Sequence, residues 1–394
     1  MLLFDLCFGG AIFGYYAYSS TNNKLSQVDG NQLTHLLYGF AYLNGDGSIT
    51  PGFQQYDIDT AINTKFNCNC GASCLNGVYG EIFSFKKKYP HVKTLISIGG
   101  WTWSTYFSQV FASSQKRATM IQSVTTFITK YGFDGIDIDY EFPEVTWREP
   151  GFTHSPNDYQ NMLQFCKELR QYWTQHSISG LLTLAMQAQG APHFNSRVSQ
   201  YDLYVDFYLV MTYEYQHNSK VARHHSNLNV LANDPKDFSP NVKSGLSQYQ
   251  FTTPGKVIIG IPAYTDVFKI NGNRKNLNNI KGLGSPATLQ PDLHWTYKTI
   301  REQDLFVEWD QNRGACSYFD DANNNFHAFD CVNSVKQKVQ YMNSKKFGGM
   351  FIWELGQDSL VKWSLLKTMS ENIPITKTPR SVCVKNSQYC NLKC

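Results

Sequence analysis

The sequence predicts an α/β fold, a (β/α)8 TIM barrel with a long insertion between its seventh and eighth strands. Two patterns carry that prediction. Eight apolar runs of strand length alternate with helix-like stretches, the order that builds a parallel sheet, and eight such units in 394 residues favour closure over an open doubly wound sheet. In the fourth run Asp137, Asp139 and Glu141 alternate with Ile136, Ile138, Tyr140 and Phe142, so one strand face is acidic and the other apolar. On an open sheet the acids would face water or hold a structural ion. Inside a barrel they face the interior, where carboxylates are rare unless they do chemistry.

Taken in order, the runs are 11–18, 34–43, 93–99, 133–142, 181–187, 205–214, 256–264 and 348–355. No G-x-G-x-x-G opens a helix after the first, so a dinucleotide fold has little support and no cofactor is expected. The fourth run reads D-G-I-D-I-D-Y-E-F-P. Pro143 cannot donate a ladder hydrogen bond, so the strand should stop there with Glu141 at its carboxyl end, where barrel enzymes keep their active sites. Two intervals are too long for simple connections. The first, 44–80, contains Cys68, Cys70 and Cys74; the second, 265–329, is rich in Asn, Gly and aromatics, among them Trp295, Trp309, Tyr318 and Phe319. Long insertions after barrel strands usually build the substrate cleft. The expected organisation is therefore a barrel over 11–264 and 330–372, an insertion over 265–329, and a tail over 373–394 that contains Pro and Cys but no core of its own.

Composition narrows the functional classes. The formal charge of +4 is small and the cations are scattered apart from Lys86-Lys87-Lys88, which argues against a nucleic-acid partner. Aromatics at 15% suit flat rings that stack on sugars. Ten cysteines in close sets (68, 70, 74; 316, 331; 383, 390, 394) favour disulfides and an oxidising, extracellular compartment. A zinc reading of the first set is weaker, because its spacing is irregular and no His lies nearby, and no metal is expected. Cys166, in a helix-like stretch, reads as a buried free thiol. The segment 1–10 contains Asp5 and lacks a basic start, so it makes a poor signal peptide and suggests a truncated one. No apolar run approaches the roughly 18 residues that would span a membrane.

With these residues in view the chain resembles glycoside hydrolase family 18, the chitinases, in the class with a small α+β insertion before the last barrel strand. The resemblance covers about 11–366 and rests on several motifs in the right order. They are Gly14-Tyr15-Tyr16, Ser97-Ile98-Gly99-Gly100-Trp101, the acidic signature, Met211-Thr212-Tyr213, Gly260-Ile261-Pro262-Ala263-Tyr264 and Gly348-Gly349-Met350-Phe351-Ile352-Trp353. It implies a monomeric enzyme acting on chitin or N-acetylglucosamine oligosaccharides. Glu141 would be the general acid and later the base. Asp139 would orient the substrate's N-acetyl group, which itself attacks the anomeric carbon, and Asp137 would lie deeper and share a proton with Asp139. The three acids would titrate as a coupled set. Tyr213 would donate to the acetamido oxygen, Trp353 would form the floor beneath the sugar, and Tyr15 and Ser97 would hydrogen-bond the inner aspartates. Phe40, Trp101, Met211, Glu214 and Tyr264 would line subsites, with Trp103, Trp147, Trp295 and Trp309 as further stacking candidates.

The chain departs from the family pattern twice. Glu214 stands where Asp is usual, and Thr265-Asp266 stand where Gly-Arg is common. If the ends of the sixth and seventh barrel strands meet, two acids are expected where an acid would have faced an arginine. Other readings on the same barrel are an endo-β-N-acetylglucosaminidase, a non-catalytic chitin-binding lectin, and a metal-dependent enzyme using the same carboxylates as ligands.

Overall fold

The computed structural model describes residues 10–18, 23–59, 75–148, 151–189, 197–215 and 219–377. The cysteine sets at 68, 70, 74 and at 383, 390, 394, and the segment before residue 10, lie outside these. Eight parallel strands close on themselves: β1 (Ala11–Ala17), β2 (His35–Leu43), β4 (Lys93–Gly99), β5 (Gly135–Asp139), β6 (Leu181–Gln187), β7 (Phe207–Met211), β8 (Val257–Pro262) and β14 (Gly349–Trp353). Each pairs with the next, β14 returns to β1, and β3 (Ile49–Pro51) adds antiparallel to the outside of β2. The expected barrel is therefore present, with its strands where the apolar runs lie.

Residue parity sorts the core into two shells. Ile136, Ile138 and Tyr140 face outward and pack in the large cluster with the surrounding helices. Phe13, Tyr15, Leu37, Leu95, Leu209, Ile258 and Phe351 fill the barrel interior. Burying each such side chain is worth about 1.5–3 kcal/mol, so the outward apolar face anchors the acidic strand and leaves its other face inside. The outer helices are bounded by ordinary caps. Ser113 accepts from the Lys116 N–H to start Ser114–Tyr131, and Gly132, at φ 78°, ends it.

Boundaries differ at the functional strand. β5 ends at Asp139, not at Pro143, so Glu141 lies in the loop just past the strand. The tail also differs at its start, because Ile373 is 1% exposed and Pro374 accepts a hydrogen bond from the Gly10 N–H. Its first residues are thus part of the barrel's packing.

Between β8 and β14 the chain builds a second, antiparallel sheet. Its strands are β9 (Asp266–Ile270), β10 (Ala287–Leu289), β11 (Glu308–Asp310), β12 (Ala315–Asp320) and β13 (Asn325–Phe329), in the order β10-β9-β13-β12-β11. With the helix Tyr297–Glu302 this is the α+β insertion the resemblance implied. Phe268, Ile270, Phe319 and Phe326 give it a core of its own. A Cys316–Cys331 disulfide fastens β12 to the start of the helix Val332–Lys345, while Cys166 is free and buried, its thiol pushed up to about 12 by desolvation. Among the described residues no helix is long and apolar enough to cross a membrane.

Strand closure leaves little room beside the acidic strand. A Cβ built at Gly135 would stand 2.2 Å from the Leu181 carbonyl oxygen of β6, a backbone atom that cannot swing away. Gly135→Ala should therefore destabilise the protein by about 2–4 kcal/mol through overpacking, read as a lower denaturant midpoint with an unchanged m-value.

Candidate active site

Strand register places a polar layer across the barrel. Ser97 on β4, Asp137 on β5 and Thr183 on β6 are direct neighbours, so their inward side chains converge. Asp137 is fully buried and accepts three hydroxyl donors: Ser97 Oγ at 2.7 Å, Thr183 Oγ1 at 2.5 Å and Tyr15 Oη at 2.9 Å. Burial raises its pKa and the three donors pull against that rise by favouring the charged form.

Asp139 and Glu141 continue toward the carboxyl end. Asp139, 3% exposed, hydrogen-bonds Glu141 and keeps its Oδ1 buried without a partner among the described residues. Burial is the main reason its pKa lies well above the usual carboxylate range, followed by the charges of Glu141 and Asp137. Glu141 is raised to about 8, first by burial and then by Glu214, while Arg148, the Trp101 backbone N–H and Asp139 oppose the rise. Ser104 holds the loop in place: its Oγ accepts from the Glu141 N–H at 2.9 Å and donates to the carbonyls of Gly100 and Asp139. The pair Asp139–Glu141, the first buried and the second half-buried, thus holds a proton at neutral pH.

Aromatic rings surround this pair. Trp353, at the end of β14, stacks on Phe40 at 5.6 Å between ring centres and meets the edge of Tyr15 at 5.2 Å. Tyr213 follows β7 and packs edge-on against Phe351 at 6.1 Å. Its hydroxyl pKa is raised by burial and then by Glu214, Asp139 and Glu141, so it stays protonated and able to donate. Met211 ends β7 beside Gln187 of β6. Trp101 is 46% exposed, with Trp147 at 6.0 Å. Trp103 instead packs against Tyr42 and Phe53, Trp295 lies against His327 at 4.3 Å, and Trp309 is half-buried against the main core.

The two departures from the family pattern lie close to a tyrosine and two histidines. Glu214, at φ 57°, accepts the hydroxyl of Tyr264, whose own pKa is raised by burial and then by Glu214 and Asp266. Asp266, 1% exposed, places Oδ2 3.2 Å from His225 Nε2 and Oδ1 4.0 Å from His294 Nδ1. Glu214 thus has a phenol as partner, and Asp266 lies beside two imidazoles. Thr183, Ser104, Arg148 and His225 were not singled out from the sequence. Thr183 could have been, since it is the polar residue in the otherwise apolar run beside the acidic strand. The others lie in loops, where no periodicity signals a role.

A parallel barrel with a proton-holding carboxyl pair at its carboxyl end, ringed by aromatics, is the arrangement of a glycoside hydrolase. The model of the family described as glycosyl hydrolases family 18 matches residues 11–358, and the chain belongs to that family. It is 26% identical over 383 residues to chitinase 1 of Aphanocladium album, covering 94% of this chain and 87% of that one. It is 27% identical to chitotriosidase-1 of Mus musculus, covering 90% and 75%. Among solved structures, chitinase ChiA74 of Bacillus thuringiensis superposes with a TM-score of 0.83 at 23% identity, covering 94% of this chain and 71% of that one.

The hydroxyl layer should be measurable in the folded protein's stability. Thr183→Val keeps the shape but removes one donor from a buried carboxylate, costing about 1–3 kcal/mol. Chemical unfolding at pH 7 should read this loss, and Thr183→Ser should recover most of it.

Proposed function

We propose that the protein is a secreted chitinase that hydrolyses β-1,4-linked N-acetylglucosamine polymers with retention, using the substrate's N-acetyl oxygen as nucleophile. The observation that carries this reading is the buried, unpartnered Oδ1 of Asp139 beside a Glu141 carboxyl raised to about 8. An orphaned buried acceptor costs about 1–3 kcal/mol, and a ligand bearing an amide N–H at that point recovers it. The similarity to chitinase 1 of Aphanocladium album supports the same substrate class.

In this reading Glu141 protonates the glycosidic oxygen as the bond to the leaving sugar breaks. Asp139 accepts the acetamido N–H and turns the carbonyl oxygen toward the anomeric carbon, and Tyr213 donates to that oxygen. The ring nitrogen of the resulting oxazolinium is then held by Asp139. Asp137, fixed by its three hydroxyls, supplies the charge against which Asp139 keeps or releases its proton. Once the leaving sugar departs, Glu141 is ionised and removes a proton from the attacking water, which opens the oxazolinium and restores the acid. Trp353 and Phe40 form the apolar floor of the reacting sugar's subsite, and Trp101, Met211, Glu214 and Tyr264 line its neighbours.

The general-acid role fixes the pH dependence. A carboxyl with a raised pKa is protonated below it, so kcat/KM on N-acetylglucosamine oligomers should be sustained up to about pH 8 and fall at higher pH as Glu141 ionises. An alkaline limb below pH 6 would contradict the assignment. Glu141→Gln should lower turnover by at least about 10²-fold while oligomer binding is retained. The anomer released first, followed by proton NMR, should be β, and fully deacetylated chitosan should not be cleaved. An initial α product would refute participation by the N-acetyl group.

A further inference from the structure

The loop after the acidic strand carries a cation that the mechanism above does not use. Arg148 lies seven residues beyond Glu141 and turns back over the site. Its guanidinium carbon stands 3.7 Å from the centre of the Trp101 ring, and Nη2 donates to the Trp101 carbonyl at 2.5 Å. A second aromatic, Phe152, lies 4.9 Å from the same carbon. Trp101 is also the residue whose backbone N–H reaches the Glu141 carboxyl. One residue is therefore held at both polar ends of its backbone, by Arg148 at the carbonyl and by Glu141 at the amide, with the guanidinium over its indole.

We propose that Arg148 is a positioning residue for the general acid: it fixes Trp101 by a combined stack and carbonyl hydrogen bond, and it brings the cation that balances the acids facing Glu141. The inference rests on the reading of Glu141 as that acid. The groups facing Glu141 make the balance plain. From its own strand comes Asp139, from the segment after β7 come Glu214 and the Tyr213 hydroxyl, and from the loop comes Arg148. Arg148 is the sole cation among the named contributors to the acid's titration, and it opposes the rise that burial and Glu214 impose. A planar guanidinium suits both tasks because it stacks on an indole while its edge donates. Lysine can supply the charge but neither the flat face nor the fork.

The two tasks separate in experiment. Arg148→Met keeps length and apolar contact with Trp101 but removes charge and donor. Glu141 then loses its balancing cation, its pKa rises further, and the alkaline limb of kcat/KM should move up by about half a pH unit or more. The plateau rate should fall several-fold as Trp101 loosens. Arg148→Lys should leave the limb within about 0.2 pH units of wild type while the plateau still falls, because charge is kept and stacking is lost. A limb for Arg148→Met that superimposes on wild type overturns the electrostatic part, and so does an Arg148→Lys limb that shifts as far as that of Arg148→Met. An unchanged plateau in both variants overturns the positioning part. Should Arg148→Met fail to give folded protein by circular dichroism, Arg148→Gln, which retains a donor without charge, is held to the same limb shift. Glu141→Gln is run alongside: if it keeps its activity the acid assignment itself fails, whereas an inactive Glu141→Gln with an unmoved Arg148→Met limb refutes this inference alone.

Discussion

Everything at this site follows from placing three carboxylates in a row inside a closed barrel. An isolated ionised carboxylate in a dry interior is so costly that the group takes up a proton unless donors or cations hold its charge. The chain answers differently at each step along the strand. At the deepest position three hydroxyls converge on Asp137. One step up Asp139 has the hydrogen bond to Glu141 and one oxygen with none. At the mouth Glu141 meets a backbone N–H and the Arg148 cation, yet its pKa remains high. The gradient is one of donors, with three hydroxyls at Asp137 and an orphaned oxygen at Asp139, while burial raises all three carboxyls, and the barrel register sets its deepest step.

That gradient explains why the two faces of one short strand can be so unlike. Ile136, Ile138 and Tyr140 contribute outer-shell burial that the acids cannot supply, and the helices outside press the strand into place. Tyr140 adds a polar tie, donating to Asp158 at 2.9 Å at the start of the next helix, and Asp158 also accepts the Glu144 N–H at 3.0 Å. The loop that bears Glu141 and Arg148 is thereby pinned from beneath by a buried carboxylate that has no part in the chemistry. Such support matters because a displacement of about 1 Å in a reacting group can cost about 10²-fold in rate.

The barrel and the acidic face were legible in the sequence because both obey short-range periodicity. A period of two with opposite chemistry on its two phases can be read from seven residues, and alternating runs can be counted. What could not be read are contacts that depend on register and on loops. Thr183 belongs to the site because β6 pairs with β5 at that residue, a fact of three-dimensional alignment. The end of β5 was misplaced because Pro143 marks the last point at which a strand could stop, whereas the pairing with β4 and β6 ends earlier, at Asp139 and Ile138. Arg148 and His225 carry no pattern at all, since each acquires its meaning from what a loop folds onto.

The segment from Tyr213 to Asp266 illustrates how a substitution that looks unfavourable in one dimension is absorbed in three. Read along the chain, Glu214 and Asp266 suggest two like charges facing across the cleft. The fold sets the Asp266 carboxylate beside His225 and His294, and turns Glu214 to the Tyr264 hydroxyl. Burial, and then the charges of Glu214 and Asp266, raise the Tyr264 pKa, which keeps its hydroxyl a donor to Glu214. Glu214 in turn is the largest named charge acting to raise Glu141. Residue 266 is thus linked to the Glu141 carboxyl through one phenol and one carboxylate, a path of hydrogen-bonded and charged contacts.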